Sequence, residues 1–207
     1  DSAPTLAADA AASAVVDFTA SIATRFRPRG EPSIAPSLQR TDRPRVAIDL
    51  RALVPRPTGI GVYTEALIGE LLETREFALV GLAHAPLHPA VGLAGRGLAI
   101  EVHRAPLGVL WQQQYLPRRL ARGDIDLLWS PLLTLPHRLP VPGVVTIHDL
   151  AVLHHPETLT WKVRLSLLPF LDSTVRQAAR IVTVSHSVAG EIAQQWPDAA
   201  RRTAVVW

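Results

Sequence analysis

The sequence has no cysteine and no methionine, and Lys162 is the single lysine among 21 basic residues. Without cysteine, disulfides and thiolate metal ligands are excluded, and with them a secreted disulfide framework. The basic residues are scattered and the net charge is only +3. This argues against nucleic acid as a partner, because such binding needs a basic face with interleaved aromatic side chains. Since position 1 is not methionine, we expect the sequence to begin inside a longer reading frame.

Long apolar runs are also lacking. No segment of the sequence approaches the roughly 20 apolar residues that span a bilayer, and its first residues do not resemble a signal peptide. Hydrophobic residues still make up 48% of the 207 residues, enough for one ordinary core. We therefore expect a cytoplasmic protein that is at most peripheral at the inner face of the membrane.

Composition divides the chain into three regions. Residues 1–26 are alanine-rich, with apolar residues at steps of three and four, which predicts a short helical tail of unknown role. Residues 27–44 are proline-rich without periodicity and predict an extended linker. Residues 45–207 alternate short β-branched runs with longer helical stretches and form the predicted folded domain.

That alternation predicts the fold class. Near-continuous apolar strands separated by helices indicate an α/β protein with a doubly wound, Rossmann-like parallel sheet covered on both faces. The predicted strands are 46–50, 77–83, 98–103, 126–130, 144–149, 180–185 and 203–207. Helices are expected after Gly61, around Trp111 and Tyr115, and over 161–179 and 187–196.

Two glycines follow the first predicted strand. Gly59 and Gly61, with Ile60 between them, are expected to form a loop that immediately precedes a helix, where free amides favour an anion such as a diphosphate. A simple turn without a ligand is the alternative. Thr64 occupies the third glycine position of the dinucleotide fingerprint, and no acidic residue follows the second strand. Both features disfavour a nicotinamide-dependent oxidoreductase.

The fifth predicted strand ends in His148 and Asp149, level with the glycine loop if the sheet is doubly wound. The imidazole is suited to hydrogen bonding with a sugar hydroxyl or a phosphate oxygen, and the carboxylate to accepting from a hydroxyl. Consecutive strand residues point to opposite faces, so the two need not act together. The alternative is a structural His-Asp turn.

Other polar patterns are not expected to be sites. His84 and His88 are four residues apart, but neighbouring prolines argue against the helix that would align them on a metal. Residues 185–187 lack the turn motif of a hydrolase nucleophile, and Ser187 is predicted to cap a helix that carries Glu191 in its first turn. No metal is expected.

Two segments combine aromatic or leucine side chains with basic residues. They are residues 111–122, WQQQYLPRRLAR, and residues 161–171, WKVRLSLLPFL. Such segments are typical of peripheral membrane contact, which is one hypothesis for them. Ordinary helices that pack on the sheet are the commoner explanation.

Four blocks occur in an order that resembles a known family. VAIDLRALVPRPTGIGVYTEALIGELL, LWQQQYLPRRLARGDIDLLWSP, GVVTIHDLAVLHHPE and ARIVTVSHSVAGEI resemble the amino-terminal domain of glycosyltransferase family four, whose members have the two-domain GT-B architecture. The resemblance covers residues 45–207. It implies retaining transfer from a nucleotide-diphosphate sugar to a saccharide or glycolipid acceptor, with no cofactor.

The resemblance also implies roles for individual residues. Gly59, Ile60, Gly61 and Ser185 would face the donor or its diphosphate, and His148, with Asp149 directly after it as in the family, would be catalytic, His148 by contacting the transferred sugar. Because the family's carboxy-terminal domain is missing from these 207 residues, we expect little activity from them alone. The alternative function is a non-catalytic α/β module that binds a sugar or a partner.

Overall fold

The structure, a computed structural model, describes residues 43–54, 58–87 and 91–206. The predicted tail, and the predicted linker up to residue 42, lie outside these residues. The described part contains seven strands: β1 (Arg45–Asp49), β2 (Ala78–Ala83), β3 (Ala99–Val102), β4 (Leu127–Ser130), β5 (Gly143–Ile147), β6 (Arg180–Thr183) and β7 (Thr203–Val205).

All neighbouring strands pair in parallel, in the order β3-β2-β1-β4-β5-β6-β7. The chain thus builds outward from β1 in one direction and then restarts at β4 in the other, which confirms the predicted doubly wound sheet. The order reverses between β1 and β4, where Ile48 is the register partner of Trp129. Helices that leave these two strands diverge to opposite faces, so a crevice opens beyond their carboxyl ends.

Helices and short 3-10 turns connect the strands. The helices are α1 (Gly59–Thr74), α2 (Gly108–Leu110), which runs through a π-helical segment (Trp111–Tyr115) into α3 (Leu116–Leu120), then α4 (Ala151–His154), α5 (Trp161–Gln177) and α6 (His186–Gln195). The 3-10 turns are Leu50–Ala52, Ala94–Arg96, Pro156–Thr158 and Pro197–Arg202. Hydroxyl side chains cap α1, α5 and α6 by accepting an amide of the first turn; they are Thr58, Thr160 and Ser185.

Two hydrophobic clusters lie on the two faces of the sheet. Alternate residues of β1 divide between them, because successive strand side chains point to opposite faces: Ile48 packs in one cluster and Ala47 in the other. The first cluster receives Ile68 of α1, and the second receives Val175 of α5 and Ile192 of α6. The central strands are buried on both sides, which explains their near-continuous apolar sequences.

A compact ion cluster, the Arg119 cluster, ties β3 to the chain that enters β4. The Arg119 side chain is 3% exposed and binds Glu101 of β3 through Nε and Nη2, at 2.6 and 2.8 Å, and Asp124 through Nη1 and the same Nη2, at 2.6 and 2.9 Å. Arg45 adds a longer contact of 3.5 Å to Asp124. The hydrogen bonds from Arg119 lower the pKa of Glu101. The hydrogen bonds to Glu101 and Asp124 raise the pKa of the Arg119 guanidinium. Burial opposes the shift at Asp124, but Arg119 still lowers its pKa.

The segment at 111–122 is not a surface helix. Trp111 is 1% exposed and Leu116 is fully buried, and both pack in the second cluster. This segment is therefore explained by a helix that packs on the sheet. The second segment differs, because Trp161 and Leu165 of α5 are 68% and 65% exposed. Within the described ranges, no helix is long and apolar enough to cross a membrane.

One predicted helix cap was misplaced. Ser185 caps α6, with its hydroxyl accepting the Val188 amide at 3.3 Å, and Ser187 lies inside the helix. β6 ends at Thr183, two residues before the predicted end at residue 185, so the helix also begins earlier. In the sequence the predicted strand continues through residues 184–185. The pairing with β7 ends at Thr183, whose register partner is Val205.

Candidate functional site

The crevice between β1 and β4 is bordered by the segments that follow β1, β4 and β5. These are the 3-10 turn and first turn of α1, the loop after Ser130, and the turn at His148. All lie at the carboxyl edge of the sheet, by which we mean the edge where the parallel strands end. This is where open α/β sheets bind ligands.

The predicted glycine loop is in fact the first turn of a helix. α1 begins at Gly59, and its cap is Thr58, whose hydroxyl accepts the Gly61 amide at 3.1 Å. The loop prediction was therefore wrong, because the helix begins three residues earlier than expected. The chemical consequence is unchanged, since the amides of Gly59 and Ile60 belong to the helix end, where no intrahelical partner exists, and the helix dipole favours an anion there.

The two glycines serve different purposes. A side chain at Gly61 would place its Cβ 3.0 Å from the Ala52 carbonyl oxygen, so this glycine lets α1 pack closely on the 3-10 turn that follows β1. A Cβ at Gly59 would meet no atom within 4 Å. Gly59 is thus not required by packing among the described residues, and it leaves the helix end open.

His148 follows β5 and is held by two neighbours. Its Nε2 lies 3.1 Å from the Pro131 carbonyl oxygen, at the start of the loop that follows β4. Its ring also meets Tyr63 of α1 edge to face, with centroids 5.0 Å apart and planes at 89°. We call Tyr63, Pro131 and His148 the His148 cluster. It joins α1, the β4 loop and β5, and it brings His148 against the helix that begins at Gly59.

The contacts of His148 indicate its protonation. Burial lowers the pKa of His148, although the Pro131 carbonyl and the negative charge of Asp149 act in the opposite direction. A neutral imidazole has one N–H, and a carbonyl oxygen only accepts, so Nε2 carries the proton and Nδ1 is an acceptor. Burial also raises the pKa of Tyr63 to about 12, which keeps its hydroxyl protonated.

Asp149 and Ser185 have local partners. Asp149 is exposed, and its Oδ1 accepts the Ala151 amide at 2.9 Å, where α4 begins. Ser185 is half-buried and caps α6. These contacts agree with structural roles at two helix starts, and the roles that the family resemblance implies for the two residues remain predictions.

A further buried pair lies at the same edge and was not singled out from the sequence. Asp49, the last residue of β1, is fully buried and binds Arg51 through both carboxylate oxygens, the shortest contact being 2.7 Å. Arg51 also approaches the Gly108 carbonyl at 3.5 Å. The available signal was an acid and a base two positions apart directly after an apolar strand, in IDLR.

The histidines after β2 and β3 pack against aromatic rings. His103 stacks on Tyr115 with centroids 3.9 Å apart, and His84 lies 6.2 Å from Trp111. Burial and the Arg51 charge lower the pKa of His84, against the effect of Asp49. Among the residues that the structure covers, no group of three or more metal-ligating side chains is close enough to hold an ion. His88 lies outside the described residues.

A doubly wound parallel sheet with helices on both faces and a crevice at its carboxyl edge defines a Rossmann-like domain. The family model for Glycosyltransferase Family 4 matches residues 57–207. The chain belongs to that family, and it forms the amino-terminal, Rossmann-like part of the GT-B architecture. No curated protein matches the sequence significantly.

Solved structures agree on the fold. Anabaena HepE in complex with UDP and glucose matches with a TM-score of 0.51 and 18% identity over 79% of this chain. The same protein in complex with UDP matches with a TM-score of 0.52 and 18% identity over 78% of this chain. The match covers 44% and 43% of the HepE chain, respectively, so the present chain spans less than half of its length.

Proposed function

We propose that this chain is the acceptor-side domain of a retaining glycosyltransferase that moves a sugar from a nucleotide-diphosphate sugar to a saccharide or glycolipid acceptor. The observation that carries the proposal is the His148 cluster, in which a neutral imidazole packs on Tyr63 of the helix that begins at Gly59. An anion at the helix end and a hydroxyl beside the imidazole fit the two halves of such a donor. The HepE structures, one in complex with UDP and glucose and one in complex with UDP, support a donor of this class.

In the proposed site each group has a distinct task. The amides of Gly59 and Ile60 donate to the diphosphate and favour the negative charge that develops on the leaving group. His148 accepts a hydrogen bond from a hydroxyl of the transferred sugar through Nδ1 and fixes its position. Asp149 and Ser185 border the same cleft. We propose that residues 43–206 alone bind the donor weakly, since they line one wall only.

The test is nucleotide release from a panel of nucleotide-diphosphate sugars, UDP-glucose among them, with saccharide and glycolipid acceptors. The full protein that contains this domain should release nucleotide diphosphate and form a product whose anomeric configuration matches that of the donor. Saccharide binding without nucleotide release across the panel would favour the non-catalytic module instead. An inverted product would refute the retaining mechanism alone.

We also propose peripheral membrane contact through the amino end of α5. Trp161 and Leu165 are four residues apart, and both are largely exposed, with exposed Arg164 between them. Residues four apart share one face of a helix. An exposed aromatic and aliphatic pair beside a cation fits the interface of an anionic bilayer.

A further inference from the structure

The π-helical segment contributes two side chains to the loop that follows β4. Gln112 and Gln113 are consecutive, yet both reach that loop: Gln112 contacts Thr134, whereas Gln113 contacts the Leu135 carbonyl and the His137 amide. Consecutive residues of a helix point about 100° apart. The wider π-helical turn is a deformation that often marks functional positions.

Gln112 forms the buried part of this contact. It is fully buried, and its Nε2 donates to the Thr134 carbonyl at 2.7 Å while its Oε1 accepts from the Thr134 hydroxyl at 3.1 Å. The same carbonyl accepts from the hydroxyl of Ser130 at 2.9 Å, and Ser130 is the last residue of β4. These bonds close the chain from Ser130 to Thr134 into a fixed bend.

Pro131 lies inside that bend, directly after Ser130. Its carbonyl oxygen is the acceptor for His148 Nε2. Proline fixes its own φ, and the bend is anchored at both ends, so the Ser130, Thr134 and Gln112 contacts restrict the direction of this carbonyl. The carbonyl in turn determines which imidazole nitrogen carries the proton and where the other nitrogen points.

We propose that Gln112 is a positioning residue for His148, acting through Thr134 and the Pro131 carbonyl. It holds the imidazole with Nε2 protonated and with Nδ1 as the acceptor. The catalytic importance of this orientation rests on the proposed function, but the orientation itself does not.

The first measurement is therefore independent of activity. In the unliganded protein, the His148 Nε2 proton should give a slowly exchanging NMR signal, assigned by its loss in His148→Asn. Gln112→Met should abolish that protection. Gln177→Met is the matched control, because Gln177 donates to the Pro136 carbonyl at the far end of the same loop; it should leave the His148 signal in place.

A double variant distinguishes a purely structural role of Gln112 from the positioning of His148. Gln112→Met alone leaves the Thr134 hydroxyl without its acceptor, which costs stability. Adding Thr134→Val removes that group and should recover stability without recovering the His148 signal. If Gln112→Met does not fold, the double variant carries the test. A protected Nε2 proton in both variants, or none in the wild type, would overturn the proposal.

The kinetic measurement addresses the link to the proposed function. In the full protein, Gln112→Met should lower kcat on the order of tenfold with little change in KM for the donor, because misplacing a group at the reaction centre affects the transition state more than binding. If Gln112→Met loses the NMR signal but the wild type shows no turnover, the positioning role of Gln112 stands and the proposed function is refuted. Loss of the signal with unchanged kcat would refute the catalytic importance of the orientation.

Discussion

The Arg119 cluster and the His148 cluster show how one sheet carries two different kinds of polar group. Arg119 is nearly fully buried, and four of its hydrogen bonds go to two carboxylates that are only about one third exposed. His148 is half-buried and has Nδ1 left over as an acceptor after its bond to Pro131. The first arrangement is charge-compensated and rigid, which suits stability. The second retains bonding capacity at the edge where ligands bind, which suits function.

Breaking the Arg119 cluster should have the largest effect on folding. Arg119→Met leaves two partly buried carboxylates without their partner, and we expect a loss of roughly 3 kcal/mol in the free energy of unfolding, measured by urea denaturation. Arg176→Met is the control, because Arg176 pairs with Asp172 on an exposed face of α5. It should cause no measurable change. Equal losses in the two variants would contradict the distinction between the clusters.

The two glycines of α1 offer a sharper comparison within one helical turn. Gly61→Ala should cost about 1–2 kcal/mol, because its Cβ would press on the Ala52 carbonyl at 3.0 Å. Gly59→Ala should stabilise α1 by about 0.5 kcal/mol, since the added methyl enters open space and alanine favours a helix. Calorimetry with UDP-glucose should nevertheless show weaker binding to Gly59→Ala. Unchanged affinity would remove Gly59 from the donor site.

The two clusters should lose their contributions to stability in different ranges of pH. The pKa values of Glu101 and Asp124 are lowered by folding, so the unfolded state binds more protons and their contribution is lost as the pH falls below about 4. The pKa of His148 is lowered too, from an ordinary value of about 6.5. The contribution of His148 to the free energy of unfolding is therefore complete above that pH. It is lost as the pH falls through the pKa that His148 has in the folded protein.

Denaturation curves collected from pH 3 to pH 8 would test these ranges. Arg119→Met should reduce the step below pH 4, whereas His148→Asn should reduce only the loss of stability that begins as the pH falls below about 6.5. If His148→Asn left that loss unchanged, the conclusion that His148 is buried as a neutral imidazole would be wrong.

The smallest expected effect concerns the exposed amino end of α5, which lies in the connection between β5 and β6. Flotation with liposomes that contain anionic lipid should be detectable at low salt and fall as salt rises, because the attraction is screened. Substituting Trp161 and Leu165 by glutamine should abolish it while the protein remains folded. No flotation of the wild type at low salt would dispose of membrane contact.

Much of the sheet was predictable because buried parallel strands are continuous apolar runs. The runs 46–50 and 180–185 locate β1 and β6, although the strands end at Asp49 and Thr183. Strand ends are set by pairing with neighbouring strands, and that information is absent from any single run. The same limit applies to His148, which follows β5 by one residue instead of lying within it.

The parts of the site that were missed depend on tertiary contacts. Two glycines within three residues suggest a loop, since glycine weakens a helix, yet the Thr58 cap and close packing at Gly61 make them helical. Gln112 carries no recognisable motif, and three consecutive glutamines resemble a solvated surface. Only the position of Thr134, 22 residues later, explains why Gln112 is buried.

The most direct test of the central claim is the turnover of nucleotide-diphosphate sugars by the full protein and its His148→Ala variant. We expect kcat/KM to fall on the order of 100-fold, as when one preorganised polar contact at a reaction centre is removed. The folded fraction and the denaturation midpoint should remain close to those of the wild type. Full activity of His148→Ala would contradict the account and return the His148 cluster to a structural role.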